Sequence, residues 1–392
     1  MLRRHFLTLP AALQGFAAPR YSALLLSSGN IERIRTELGR TPDIAAPLHK
    51  QVEHALAAGP WSVTFHRPRN PKPAPNDYYS EAPYWWPDPK NPSGPFIRKD
   101  GERYPERDWT HRRYIGELAE ATLALGMGAA FFGDSRCVAR AEKVLSVWFL
   151  DPKTRMNPHL EFGQAVRGHN EGRGAGIIET VSLIYVAQGM MLLEAAGKLD
   201  SGLRSGLRRW YAQYLRWLTE SPKGRAEMNA GNNHATWWTA QVAAYATFTE
   251  NEAAKQLAWE RYRTHLVPTQ IQPDGSCPKE EARTRSLSYS AMNLDGFSIL
   301  CRIAEGNGVD LWRFKTASGT GVEKSFYYLM PYVLRPETWK KKQITAFDQD
   351  RTIFLGLAGL GLQAPPLLAA YRKLPRAEAP LVLLVDYLVR TS

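Results

Sequence analysis

The sequence predicts an all-α protein, an incomplete (α/α) toroid built from antiparallel helix pairs. From Trp109 onward, apolar residues recur at helical spacing in a series of segments of similar length. Helix stops separate these segments, at Gly133-Asp134, at Gly197 and at Gly306-Asn307-Gly308. No run of strands with alternating polarity interrupts the series. Many helices joined by short loops pack as antiparallel pairs, and a long series of pairs can close into a toroid. The alternative, a stacked open solenoid, would show a fixed sequence period, and none is present.

The elements follow in order. Leu2-Arg3-Arg4-His5-Phe6-Leu7 and the apolar stretch to Ala18 resemble a twin-arginine signal, with Ala17-Ala18 as small residues for cleavage before Pro19. Residues 1–18 are therefore expected to direct the protein to the periplasm or outside the cell, leaving 19–392 as one domain. The stretch is too short for a membrane anchor, and none is expected. Two helical patterns come next, at Ile31 to Arg35 and Ala45 to Ala58. Residues 59–108 are rich in proline with aromatics between, too long for a simple connection, so they are expected to pack on the scaffold or serve the site. Helices are then expected at Tyr114 to Phe132, Arg136 to Phe149, Ile177 to Ala196, Gly202 to Leu218, His234 to Thr247, Glu252 to Leu266 and Leu287 to Ala304. Glu323 to Leu334, Thr352 to Leu362, Ala364 to Arg372 and Ala379 to Val389 close the series.

Composition narrows the function. The 392 residues are 44% hydrophobic and 22% charged, enough for a sizeable core. Fifty Lys+Arg against 38 Asp+Glu give +12, an excess that draws an acidic ligand such as nucleic acid, anionic lipid or polyuronate. No nucleic-acid-binding module is present, which removes the first of these. The nine histidines form no H-E-x-x-H or similar signature and no G-x-S-x-G elbow occurs, so neither a metal nor a cofactor is expected, nor serine hydrolysis. Cys137, Cys277 and Cys301 are too few and scattered for a disulfide framework. Cys137 and Cys301 lie in helical apolar patterns, and a single Cys277–Cys301 bridge stays open.

Four stretches carry chemistry. Asn232-Asn233-His234 offers amides that can cap a helix and an imidazole at its start, with Trp237 and Trp238 one turn on. Arg283, Arg285 and Tyr289 follow; Arg285 and Tyr289 share a helix face, and a guanidinium beside a phenol lowers the phenol's pKa. The polar, glycine-rich stretch Gln164 to Gly176 contains Arg167, His169, Asn170, Glu171 and Arg173. With no strand before it and no Gly-Lys-Ser/Thr after it, it reads as a carbohydrate-binding loop rather than a phosphate loop. Asn76 to Pro89 concentrates Tyr78, Tyr79, Trp85 and Trp86, flat surfaces on which sugar rings pack. Amide, imidazole, guanidinium and phenol together can neutralise a uronic acid carboxylate and remove the proton beside it. That set points to β-elimination on an anionic polysaccharide. A glycoside hydrolase would need two opposed carboxylates, which Glu171, Asp274, Glu280 and Glu281 keep open, and an inactive carbohydrate-binding protein is the remaining alternative.

These blocks, spread over roughly residues 60–335, resemble the alginate lyase family of polysaccharide lyases, which have an (α/α) toroid fold. The resemblance rests on Tyr78-Tyr79 through Pro87, Gly168 through Gly176, Asn232-Asn233-His234, and Ile271-Gln272-Pro273-Asp274-Gly275 through Tyr289. It implies Asn233, His234, Arg283 and Tyr289 as the catalytic residues. It further implies cleavage of a β-1,4-linked polyuronate to 4,5-unsaturated ends. Members known for mannuronate cleavage have one more residue between the arginine and the tyrosine. The spacing of Arg283 and Tyr289 looks closer to relatives that cut glucuronan.

Overall fold

A computed structural model describes residues 21–197 and 199–392. The signal expected at residues 1–18 lies outside the described residues. The fold is mostly helical, as expected.

The described chain opens with a short antiparallel pair, β1 (Tyr21–Ala23) and β2 (Leu26–Ser27). Gln188 accepts the Leu25 N–H and Arg302 donates to the Leu25 carbonyl, which pins this segment against two helices of the core. Helices α1 (Ser28–Arg40) and α2 (Pro42–Ala57) follow. Residues 58–109 then cross the molecule as irregular chain carrying β3 (Tyr79–Glu81), β4 (Trp85–Trp86) and β5 (Ile97–Arg98). Five antiparallel pairs build the body: α3 (Thr110–Phe132) with α4 (Ser135–Phe149), α5 (Ser182–Ala195) with α6 (Ser201–Glu220), α8 (Asn233–Phe248) with α9 (Glu252–Arg261), α12 (Ser286–Gly306) with α13 (Val322–Leu334), and α14 (Phe354–Gly361) with α15 (Pro365–Lys373). Between them lie β6 (Phe162–Ala165), the 3-10 segment Gly174–Val181, and the short helices α7 (Pro222–Met228), α10 (Val267–Gln270) and α11 (Pro278–Glu281). The last helix, α16 (Pro380–Arg390), packs on α14, α2 and α3.

The inner helices are α3, α5, α8, α12 and α14, each packed on the next. Their residues are buried nearly all round, whereas α4 and α6 bury one stripe and expose the other. α3 and the Gly174–Ala195 segment are long and apolar enough to cross a membrane, but 78% and 72% of those windows are buried inside the protein, so they are core helices. α3 and α5 meet backbone to backbone: a Cβ on Gly126 would sit 2.4 Å from the Gly189 carbonyl oxygen. Helix ends follow local chemistry. Gly133 closes α3 in the left-handed conformation at φ 69°, and Asp134, Asp200 and Asn232 cap α4, α6 and α8 with side-chain oxygens.

The expected helices are all present within a few residues, except that Ile177 to Val181 is 3-10 before α5 begins. The chain also forms α7 and a parallel pairing of β3 with β6 that the sequence pattern does not display. Cys137, Cys277 and Cys301 are all free and buried, so the bridge left open between Cys277 and Cys301 is absent. Cys277 and Cys301 instead sit beside Asn293 and Tyr262 respectively.

Candidate active site

The inner helices α3, α5, α8 and α12 all begin at one cleft of about 690 Å³, whose lining includes Trp109, Ser182, Asn232 and Tyr289 from their first turns. Helix N-termini present unpaired N–H groups and the positive ends of their dipoles, so this convergence favours an anion. The irregular segment 58–109 forms the opposite wall. The β3–β6 pairing and the β4–β5 hairpin hold it there, with Trp85 paired to Arg98.

The four residues expected to be catalytic, Asn233, His234, Arg283 and Tyr289, all line this cleft. The Asn232 side chain caps α8 and accepts from the His234 N–H. Asn233 is fully buried; its backbone and side-chain N–H groups donate to the two Glu280 oxygens at 2.6 and 2.7 Å. The His234 Nδ1 lies 2.5 Å from Glu227, a buried carboxylate of α7, which fixes the ring and leaves Nε2 to the cleft. Arg283 is clamped by Asp100: Nε and Nη2 both bond its carboxylate, at 2.8 to 3.1 Å. Asp100 also accepts from the Thr284 N–H, and these bonds hold its carboxyl well below the usual range against the opposing effect of burial. The guanidinium lies over the Tyr289 ring, 3.9 Å from its centre.

Tyr289 brings a correction. Arg283 beside it was expected to lower its pKa. Burial, and then the Tyr84 phenol 2.6 Å from its hydroxyl, outweigh Arg283, and the Tyr289 phenol is pushed well above the ordinary range.

Of the residues expected to bind substrate, Trp85, Arg173 and Trp237 line the cleft. The others do not, for separate reasons. Tyr78 and Tyr79 are buried beneath the wall, and their hydroxyls donate to Glu179 and Glu81. Trp86 turns outward onto Tyr104 and Lys99 and donates to the Glu102 carbonyl. Trp238 is fully buried because it lies about 100° round the helix from Trp237, and its indole donates to the Leu218 carbonyl. Arg167 and His169 grip Phe96, and a Val166–Asn170 bridge closes their loop. Glu171 is outside, paired with Lys72 and Asn70, and Arg285 is tied to Thr345. The stretch Gln164–Gly176 therefore mainly braces the aromatic wall, and only Gln164, Arg173 and Ala175 reach the cleft.

Sequence reasoning missed several lining residues: Tyr84, Arg98, Arg103, Arg107, Arg112, Arg113 and Glu179. With Arg173 and Arg283 the cleft holds seven arginines, and Glu179 is the one carboxylate among its described lining residues. Arg107, Arg112 and Arg173 are half-buried; among the described residues they donate to the Tyr104 carbonyl, Ser182 and Gln164, none of them a carboxylate, and Arg107 also lies over the Trp109 ring. Half-buried guanidiniums with no carboxylate partner are costly unless an anion arrives. Burial and the charge of Arg103 push Arg107 below the usual arginine range, and burial does the same to Arg173. The carboxylates considered for hydrolysis lie elsewhere: Glu171 on the surface, Asp274 in a turn with Ser276, Glu281 against Lys341 and Glu280 behind Asn233. No group of His, Cys, Asp and Glu among the described residues could hold a metal ion.

Residues 62–339 match the family described as alginate lyase. The structure is similar to that of an alginate lyase from Bacteroides ovatus, with 31% identity, a TM-score of 0.86 and coverage of 94% of this chain and 99% of that one. It also resembles alginate lyase A1-III from Sphingomonas species A1, at 16% identity, a TM-score of 0.56 and 88% coverage of either chain. A variant of A1-III complexed with a tetrasaccharide gives 16% identity, a TM-score of 0.60 and coverage of 90% of this chain and 91% of that one. These last two likenesses concern the fold. No curated protein matches the sequence.

Proposed function

The chain belongs to the alginate lyase family and is a polysaccharide lyase; from that premise we propose that it cleaves a β-1,4-linked uronan of manno or gluco configuration by syn elimination at the Asn233–His234–Arg283–Tyr289 cleft. One observation carries the reading. The cleft sets a phenol, an imidazole, a buried amide and a guanidinium together, amid seven arginines and a single carboxylate. A hydrolase would want a second, opposed carboxylate there.

In this mechanism Tyr289 removes H5 of the uronate and the C4 oxygen departs, leaving a 4,5-unsaturated sugar. The barrier is the negative charge that builds on the carboxylate as H5 leaves. Asn233, His234 and Arg283 bind that carboxylate, and each such donor contributes about 3 kcal/mol to the transition state. In mannuronate and glucuronate H5 and O4 lie on the same face, so one phenol can take the first proton and return it to the leaving oxygen. Because the phenol is held protonated in the resting enzyme, its proton leaves through Tyr84: Tyr84 takes the Tyr289 proton as it releases its own to water, and then donates a hydrogen bond to the phenolate. Trp85 and Trp237 offer apolar surface to the sugar rings, and Arg107, Arg112 and Arg173 take neighbouring carboxylates.

The compact spacing of Arg283 and Tyr289 favours glucuronan over polymannuronate, and the twin-arginine-like N-terminus supports work in the periplasm or outside the cell. A panel of polymannuronate, polyguluronate and glucuronan, followed by the ultraviolet absorbance of the unsaturated product, tests the reading. It expects product from the first or third, with polyguluronate poor. Chain shortening without that absorbance would mean hydrolysis.

A further inference from the structure

The proposal concerns Glu280, which the sequence offered only as half of a hydrolytic pair, and it rests on the lyase reading above. Glu280 ends on the short helix α11 and is 1% exposed. Both of its oxygens are spent on one residue, accepting from the Asn233 backbone N–H at 2.6 Å and from Nδ2 at 2.7 Å. The other end of the same amide, Oδ1, is buried and has no hydrogen-bond partner among the described residues. A buried acceptor left unpaired costs about 1–3 kcal/mol. Asn233 belongs to the cleft lining, and with Nδ2 held by Glu280 the end of its amide left for a substrate group is Oδ1. With Glu280 ionised, that end is an oxygen. An oxygen repels the carboxylate that Asn233 is there to neutralise.

The conflict disappears if one proton is added. A carboxylate only accepts, but a carboxylic acid donates with one oxygen and accepts with the other. The oxygen and nitrogen of an asparagine amide occupy equivalent positions, and their assignment follows the hydrogen bonds around them. We propose that Glu280 is a positioning residue that works as a neutral acid, donating to Asn233 Oδ1 and turning the amide so that Nδ2 faces the substrate carboxylate. The backbone N–H of Asn233 still donates to the second Glu280 oxygen, and Nδ2 finds its acceptor when the substrate carboxylate binds.

The surroundings agree. Burial pushes the Glu280 carboxyl above its ordinary range, against the opposing pull of the Asn233 bonds and of the Arg283 and His234 charges. The thiol of Cys277, buried nearby, adds no charge, since burial and the two adjacent glutamates keep it protonated. The neighbouring Glu281 is engaged by Lys341. An arriving uronate carboxylate adds negative charge beside Glu280 and disfavours its ionisation further.

The experiment compares Glu280→Gln and Glu280→Ala with the wild type by kcat/KM against pH, on whichever uronan of the panel the wild type cleaves. Glutamine supplies the donor and the acceptor permanently. Wild-type kcat/KM should climb with pH as Tyr289 ionises and then level off as Glu280 loses its proton, while Glu280→Gln keeps climbing and overtakes it at the alkaline end. Glu280→Ala, with neither group, should lie about 100-fold below Glu280→Gln at every pH. A folded Glu280→Gln enzyme as weak as Glu280→Ala, or one whose profile parallels the wild type, overturns the proposal. If Glu280→Gln does not fold, the infrared carbonyl band of the wild-type enzyme decides: a neutral carboxyl band that shifts on adding a uronate tetramer supports it, and its absence at neutral pH overturns it. A wild type that leaves every uronan intact refutes the lyase reading instead, so the two failures are distinct.

Discussion

The hydroxyls of Tyr84 and Tyr289 lie 2.6 Å apart, joining the irregular wall of the cleft to helix α12 across 205 positions of sequence. The bond places the proposed base against another phenol, and burial together with that contact holds the Tyr289 proton on. Its consequence is kinetic. The active form of Tyr289 is the phenolate, and a raised pKa keeps that form scarce at neutral pH. The rate with wild-type enzyme is therefore expected to rise from neutral into alkaline pH, and a profile that falls across that range contradicts a tyrosine base.

Tyr84→Phe removes the hydroxyl through which the Tyr289 proton leaves and keeps the ring. We expect kcat to fall about 10²-fold, in the range of a lost proton-transfer partner, with KM little changed. Steady-state kinetics check this, and a variant with unaltered kcat removes Tyr84 from the proton path.

Asp100 holds Arg283 by two guanidinium nitrogens, and the guanidinium in turn covers Tyr289. Asp100→Ala frees Arg283 to move. Misplacement of a carboxylate-binding group by about 1 Å costs roughly 10²-fold in kcat/KM. Asp100→Glu, which keeps the charge but moves it by a methylene, should fall between the alanine variant and the wild type.

Arg112 lines the cleft, and among the described residues its one hydrogen-bond partner is Ser182, at 3.5 Å. Arg112→Gln should raise KM while leaving kcat nearly constant, since it removes binding to a carboxylate away from the reacting bond. Added salt should raise KM of the wild type by screening the same charges. A change confined to kcat would place Arg112 in the chemistry instead.

Asp295 is a stability prediction. It is half-buried and accepts the Ile353 and Phe354 N–H groups at the start of α14, and desolvation of its carboxyl raises the pKa from 3.8 to about 7. The folded state keeps the proton that the unfolded chain gives up, so stability falls as pH rises from 3.8 to about 7. Asp295→Asn keeps an acceptor without the charge. Its melting temperature relative to wild type should improve across that window, and a constant difference between pH 4 and pH 7 would contradict the assignment.

The sequence displayed the helices because the outer segments carry apolar residues at 3.6-residue spacing, the inner ones are apolar almost throughout, and stops such as Gly133 separate the runs. It displayed Asn233, His234, Arg283 and Tyr289 because they stand in compact motifs. It did not display the side chains that hold these four in place. Glu227 lies on the short helix α7 and Asp100 and Tyr84 on the irregular segment 58–109, and only the fold brings them to His234, Arg283 and Tyr289. Arg107, Arg112 and Arg113 look like a solvated basic stretch until the N-terminus of α3 is seen to open on the cleft. Trp237 and Trp238 look alike in sequence, yet one step round α8 sends the first to the cleft and the second into the core.

The central claim is that one phenol, Tyr289, performs the proton transfers of a β-elimination. Tyr289→Phe removes that single oxygen and leaves the ring under Arg283. Unsaturated-product absorbance and calorimetric binding of a uronate oligomer should be measured on the same preparation. The account predicts that turnover disappears while binding stays within a few-fold of wild type. A Tyr289→Phe enzyme that still forms the unsaturated product at a wild-type rate would contradict it.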